Sequence, residues 1–284
     1  MTRELRRAWI FGCGYLGLPL LTRWLAAGVA VTVMTRSTEK ATKLRAMGAQ
    51  SVVTADGAYE LPRELPDVVA WAVGFEREEP QRSTRDEAWV GGLQRLAEEL
   101  TRRGASPRVL YVSSTGVYGD AAGGDLDESV APAPRSEGGR VALVAEAVVR
   151  AFAADSVAIR LAGIIGPGRL LQRVPEIQRG MVVRAPADHW LNLVHVEDAA
   201  RVVDALARHD APPAIINAAM QQTPTRREYY EGLARRLGGP SPRFEPTGEH
   251  VANRRVVSTL REELLTFRYE GIAAALDAMV EPGS

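Results

Sequence analysis

Up to Leu161 the chain alternates between two hydrophobic patterns. Short, nearly continuous apolar runs occur at Ala8–Phe11, Val29–Met34, Ser51–Val53, Val68–Val73, Val109–Ser113 and Val157–Leu161. Many of their residues are β-branched or aromatic, and the lack of polar alternation suits strands covered on both faces. Between them lie segments with apolar residues three and four positions apart: Tyr15–Ala27, Thr38–Met47, Thr84–Arg103 and Val141–Ala154. In the third of these, Trp89, Leu93, Leu96 and Leu100 form one stripe, and Gly104 stops it. Strand alternating with helix predicts an α/β fold with a doubly wound, mainly parallel sheet.

Past Gly166 the texture changes, as Pro167, Gly168, Pro175, Gly180 and Pro186 break the chain into loops. The expected organisation is a first domain over 1–166 and a smaller, partly interleaved substrate domain over 167–284. The latter is expected to hold helices at Asp198–Arg208, Thr225–Leu237 and Leu260–Leu265 and a strand at Ile215–Asn217. There is no internal repeat and no low-complexity tract.

The junction of the first strand and first helix carries candidate chemistry. Gly12-Cys13-Gly14-Tyr15-Leu16-Gly17 has the spacing G-x-G-x-x-G. In a dinucleotide site the first glycine makes the turn, the second lets a pyrophosphate reach the backbone, and the third lets helix pack on strand. The amides from Tyr15 and Leu16 onward would face the phosphates at the positive end of the helix dipole. Alone, the same spacing also fits an ordinary strand-to-helix turn. The second strand ends at Met34-Thr35-Arg36-Ser37-Thr38. An acidic residue at that place suits the 2′-hydroxyl of NAD, whereas the fork of Arg36 with the Ser37 hydroxyl suits the 2′-phosphate of NADP. NADP is therefore expected over NAD, the plain alternative being a solvated arginine and a helix cap.

Composition narrows the partners. With 35 basic and 35 acidic residues the formal charge is zero, which offers no general attraction for nucleic acid or an anionic membrane. A single cysteine, Cys13, excludes an internal disulfide and suits a reducing, cytoplasmic setting. Arg3, Arg6 and Arg7 before an apolar stretch superficially resemble a secretory leader, but three glycines and Pro19 interrupt it. The stretch reads as the first strand and helix of a folded domain. No apolar run reaches the length of a membrane helix.

The glycine turn and Ser113-Ser114-Thr115-Gly116-Val117-Tyr118-Gly119 resemble the short-chain dehydrogenase/reductase superfamily, specifically its extended branch of NAD(P)-dependent epimerases and dehydratases. Further segments are similar in order: Asp127-Glu128 with Pro132 and Pro134, Arg160 to Gly168, Asn192 to Ala200, and Ile216-Asn217. The resemblance implies a Rossmann domain, a nicotinamide cofactor and a small-molecule substrate of the nucleotide-sugar or carbonyl/hydroxyl type. It also implies that Asp56 faces the adenine, that Ala72 and Val73 lie against the cofactor beside Ser113, and that Ser114 hydrogen-bonds the reacting oxygen. Dimerisation through two sheet-flanking helices is implied by analogy.

One departure bears directly on catalysis. The family places a tyrosine, and four residues later a lysine, after its proline-marked loop. Aligning Pro134 to Glu146 with that pattern puts Gly138 at the tyrosine and Ala142 at the lysine. Neither can exchange a proton. Glu137, Arg140 and Tyr118 are the nearest replacements, with His195 more remote. His189, His209 and His250 show no metal-ligand spacing. Two functions remain open: an atypical NADP-dependent oxidoreductase, epimerase or dehydratase, or a non-catalytic NADP(H)-binding sensor or scaffold.

Overall fold

The computed structural model describes residues 3–53, 61–74, 86–119, 123–169, 173–247, 252–258 and 267–280. Its elements divide between two compact units. The first comprises Met1–Gly119, Pro132–Arg160 and Ala200–Ile216, and the second Asp120–Ala131, Leu161–Ala199 and Asn217–Ser284.

In chain order the elements before residue 120 are β1 (Arg7–Phe11), α1 (Gly17–Ala26), β2 (Ala30–Thr35), α2 (Thr38–Ala46), β3 (Gln50–Val53), β4 (Val68–Trp71), α3 (Gly92–Arg102) and β5 (Arg108–Ser114). They are followed by β6 (Gly124–Leu126), α4 (Glu137–Phe152), β7 (Val157–Leu161), β8 (Gly163–Ile165), α5 (Val174–Arg179) and β9 (Val182–Val183). The last are β10 (Leu193–His195), α6 (Val196–Arg208), β11 (Ile215–Ala218), α7 (Arg226–Arg236), β12 (Arg243–Phe244), β13 (Arg254–Val256) and α8 (Ile272–Val280).

A seven-stranded sheet has the order β11-β7-β5-β4-β1-β2-β3. β1 pairs in parallel with both β2 and β4, Phe11 standing opposite Met34 and Trp71. The chain therefore winds outward in opposite directions from the β1/β4 boundary, which makes that boundary the topological switch point of a Rossmann sheet. On one face Trp9, Phe11, Val69, Trp71, Val109 and Tyr111 pack with Leu93, Leu96 and Leu100 of α3 and Val141, Ala145 and Val149 of α4. Phe11 and Trp71 stack with ring centroids 4.6 Å apart. Trp24 of α1 is fully buried, and its indole N–H donates to Asp204 Oδ1 of α6 at 3.0 Å.

The second unit is built from short parallel pairs, β8 with β10, β9 with β12 and β6 with β13. Its core joins Ile165, Ile177, Met181, Leu193, Tyr229, Leu233 and Leu276.

Two expected helices differ most in how they begin. α4 begins at Glu137 rather than Val141, because the Ser136 side chain caps it by accepting the Gly139 N–H at 3.1 Å. The helix expected over Thr84–Arg103 opens, within its described part, with a π-helical turn over Glu87–Gly91 before α3. The helix expected at Leu260–Leu265 lies outside the described residues. No helix among the described residues is long and apolar enough to cross a membrane.

Candidate active site

Where β1 ends, Gly12 takes a φ of +83°, a conformation that L side chains rarely adopt. A Cβ there would run into the carbonyl oxygen of Ala72 and lie 2.6 Å from the Val73 nitrogen. The ends of β1 and β4 thus meet backbone to backbone at the switch point. Gly17 is equally confined, since a Cβ would lie 2.5 Å from the Gly12 carbonyl oxygen. Gly14 is exposed, and a Cβ on it would meet nothing within 4 Å. Two glycines therefore serve close packing, while the third presents bare backbone to open space.

α1 starts with no side-chain cap at Leu16 and no acidic residue in its first turn. No carboxylate of the helix's own first turn therefore offsets its positive end. Leu16 is buried and Tyr15 half-buried. Burial raises the Cys13 thiol to about 11, so it remains neutral. Bare backbone at Gly14 and an uncapped helix start together fit the pyrophosphate of a dinucleotide.

Arg36 is exposed after β2. Ser37 is the N-cap of α2, its Oγ accepting the Lys40 N–H at 3.2 Å. Asp56 lies outside the described residues. Ala72 and Val73, half-buried, form the β4 end that faces Gly12.

Alternation along β5 turns Ser113 inward and Ser114 outward. Ser114 caps a 3₁₀ turn over Thr115–Tyr118, its Oγ accepting the Gly116 N–H at 3.0 Å. A serine hydroxyl has one donor and two acceptor sites, so this bond leaves the Ser114 O–H able to donate outward. The start of α4 lies against the same turn: a Cβ on Gly139 would sit 2.6 Å from the Gly116 carbonyl oxygen. Glu137 and Arg140 are exposed in that first helical turn, and Arg140 Nη1 donates to the Arg135 carbonyl at 2.7 Å. Gly138 is half-buried and Ala142 is 1% exposed.

Ser113 and Tyr118 belong to a buried network. The Ser113 hydroxyl donates to Glu146 Oε1 at 2.6 Å. Arg160 binds the same carboxylate through Nε at 3.0 Å and Nη2 at 2.8 Å, and its Nη1 donates to the Tyr118 hydroxyl at 3.0 Å. Glu146 is 0% and Arg160 2% exposed. Burial and the Glu146 carboxylate also push the Tyr111 phenol above its usual range. Sequence reasoning matched Glu146 and Arg160 to family segments without giving either a role. The available signal was a charge on the apolar side of α4 and another within an otherwise apolar strand.

His195 sits in the second unit. Its ring is buried, its Nδ1 accepts the Glu197 N–H at 3.3 Å, and it packs 4.0 Å from the Tyr269 ring. Burial holds its pKa below the ordinary value.

The model of the NAD dependent epimerase/dehydratase family matches residues 9–219. The chain belongs to this family. Protein YeeZ of Escherichia coli K12 is 30% identical over 246 residues, covering 84% of this chain and 87% of YeeZ. A functionally unknown conserved protein from Silicibacter pomeroyi superposes with a TM-score of 0.79 at 24% identity, covering 96% of this chain and 98% of that one. UDP-glucuronic acid 4-epimerase from Bacillus cereus, solved in complex with NAD, gives 0.77 at 16% identity and covers 97% of both chains. At these identities the two solved structures speak for the epimerase/dehydratase fold.

Proposed function

We propose that this chain is an NADP(H)-dependent enzyme acting on a carbonyl or hydroxyl group of a nucleotide-sugar-like small molecule, without the family's tyrosine and lysine. The outward-facing Ser114 hydroxyl, beside α4 and at the carboxyl end of a sheet strand, carries this reading. When bound, the nicotinamide supplies or accepts hydride. Ser114 Oγ–H donates to the substrate oxygen and polarises its bond to carbon. Glu137 accepts a proton on its carboxylate, and Arg140 offers a fixed positive charge in the same helical turn. Arg36 takes the 2′-phosphate, while Gly14 and the start of α1 receive the pyrophosphate.

Gly138 and Ala142 support a second reading, a non-catalytic NADP(H)-binding sensor or scaffold. One experiment separates the two. Purified protein is first titrated calorimetrically with NADPH, then assayed against a panel of nucleotide sugars and carbonyl compounds alongside Ser114→Ala. Turnover that disappears in the variant establishes the enzyme. Confirmed NADPH binding with no turnover on the panel favours the sensor.

A further inference from the structure

Resting on the reading of Ser114 as the group that polarises the substrate oxygen, we propose that the buried Glu146–Arg160 pair is a positioning device for Ser114, attached to its loop at Ser113 and Tyr118. Ser113 immediately precedes Ser114 and donates a hydrogen bond to Glu146, while Tyr118, at the end of the following turn, is held by Arg160. Arg160 and Glu146 are joined by two hydrogen bonds, so the contacts close a ring from Ser113 through α4 and β7 to Tyr118. Ser114 lies on the short segment that completes the ring. Both charged residues stand on regular elements, which gives the ring a stiff back.

Two further contacts steady the same segment. The Ala133 N–H donates to the Val117 carbonyl at 3.0 Å, and Gly139 abuts the Gly116 carbonyl. The exposed Ser114 hydroxyl is thus carried on a loop held from below. Apolar packing would fill the volume of the charged pair without an uncompensated desolvation cost, so stability alone does not call for it. Direction does: only hydrogen-bonding groups fix where the Ser113 and Tyr118 hydroxyls point.

The test is amide hydrogen exchange, read by mass spectrometry, on wild type, Glu146→Leu, and the double variant Glu146→Leu/Arg160→Leu. The single variant strands a buried guanidinium and is expected to melt early. The double variant is expected to recover most of the wild-type melting temperature. Amides of residues 113–119 are nevertheless expected to exchange roughly tenfold faster or more, while those of β1 and β2 exchange as in wild type. Wild-type protection of 113–119 in the double variant would show mere packing and overturn the proposal. Should that variant fail to fold, Ser113→Ala/Tyr118→Phe keeps the charged pair and removes only its attachments. It is expected to show the same local loss, and unchanged protection overturns the proposal there too. A Ser114→Ala protein with undiminished turnover sinks the catalytic reading and leaves the exchange result standing, so the two failures are distinct.

Discussion

The carbonyl oxygen of Ala72 occupies the place where a side chain on Gly12 would have to go. Gly14, two residues on, faces open space. The two glycines should respond differently to substitution. Gly12→Ala meets both a positive φ and a backbone overlap and is expected to cost about 3 kcal/mol or more of stability in urea unfolding. Gly14→Val is expected to unfold within about 0.5 kcal/mol of wild type yet bind no NADPH by calorimetry. A Gly14→Val protein with wild-type NADPH affinity would remove the pyrophosphate from this turn.

On the proposed reading, Arg36 selects NADPH over NADH. Its charge-assisted hydrogen bonds to a 2′-phosphate are worth about 1.5–3 kcal/mol, so Arg36→Ala is expected to weaken NADPH binding roughly 10- to 100-fold. NADH affinity should not change. An equal loss for both cofactors would assign Arg36 some other role.

Ser114→Ala removes a turn cap and, on the proposed reading, the donor to the reacting oxygen. Turnover is expected to drop by about 10²–10³, stability by about 1 kcal/mol, and NADPH affinity not at all. Steady-state kinetics, urea unfolding and calorimetry read these three quantities separately.

Asp204 accepts hydrogen bonds from Trp24 Nε1, Arg23 Nε and Arg208 Nε at 3.0, 2.7 and 2.8 Å. Asp204→Ala leaves the buried indole N–H without an acceptor and is expected to cost about 1–3 kcal/mol. Asp204→Asn retains a carbonyl oxygen for Trp24 and should cost less. Equal losses in the two variants would mean that the bond to Trp24 contributes little.

His195 gives a pH dependence of definite sign. Burial, the largest cause, holds its pKa below the ordinary 6.5, outweighing Glu197 and Asp198, which pull it upward, while Arg268 also lowers it. Above about 6.5 the ring is neutral in both folded and unfolded chains, and its contribution to stability is fully present. As pH falls below that value, the unfolded chain takes up a proton that the folded chain resists, so stability declines toward the folded pKa. Urea unfolding between pH 7.5 and 5.0, compared with His195→Gln, should show a shallower decline in the variant.

The sheet and its glycine turn were legible because their signals are local. Ala8–Phe11 is apolar throughout, and Gly12, Gly14 and Gly17 follow directly, so strand, turn and helix occupy one short stretch. Ser114 stood out only through the resemblance of Ser113–Gly119 to a family segment, and the structure places it where β5 breaks into a glycine-containing turn. The short strands of the second unit were not, because two or three residues such as Val182–Val183 carry no measurable period. The helix was expected from its apolar run at Val141, and the polar turn before it carries no apolar period. In the structure α4 starts at Glu137, with Gly139 in close contact with the Gly116 carbonyl.

The sequence by itself determined the alternation of strand and helix and the glycine-lined turn, both properties of residue type and spacing. Only the tertiary structure decided what Glu146 and Arg160 do. They lie 14 positions apart on different elements, and nothing in their spacing pairs them. Burial makes the pairing compulsory, since neither charge can remain in the interior without a partner. The network binds the inward Ser113 and Tyr118 hydroxyls, while strand alternation leaves Ser114 facing out.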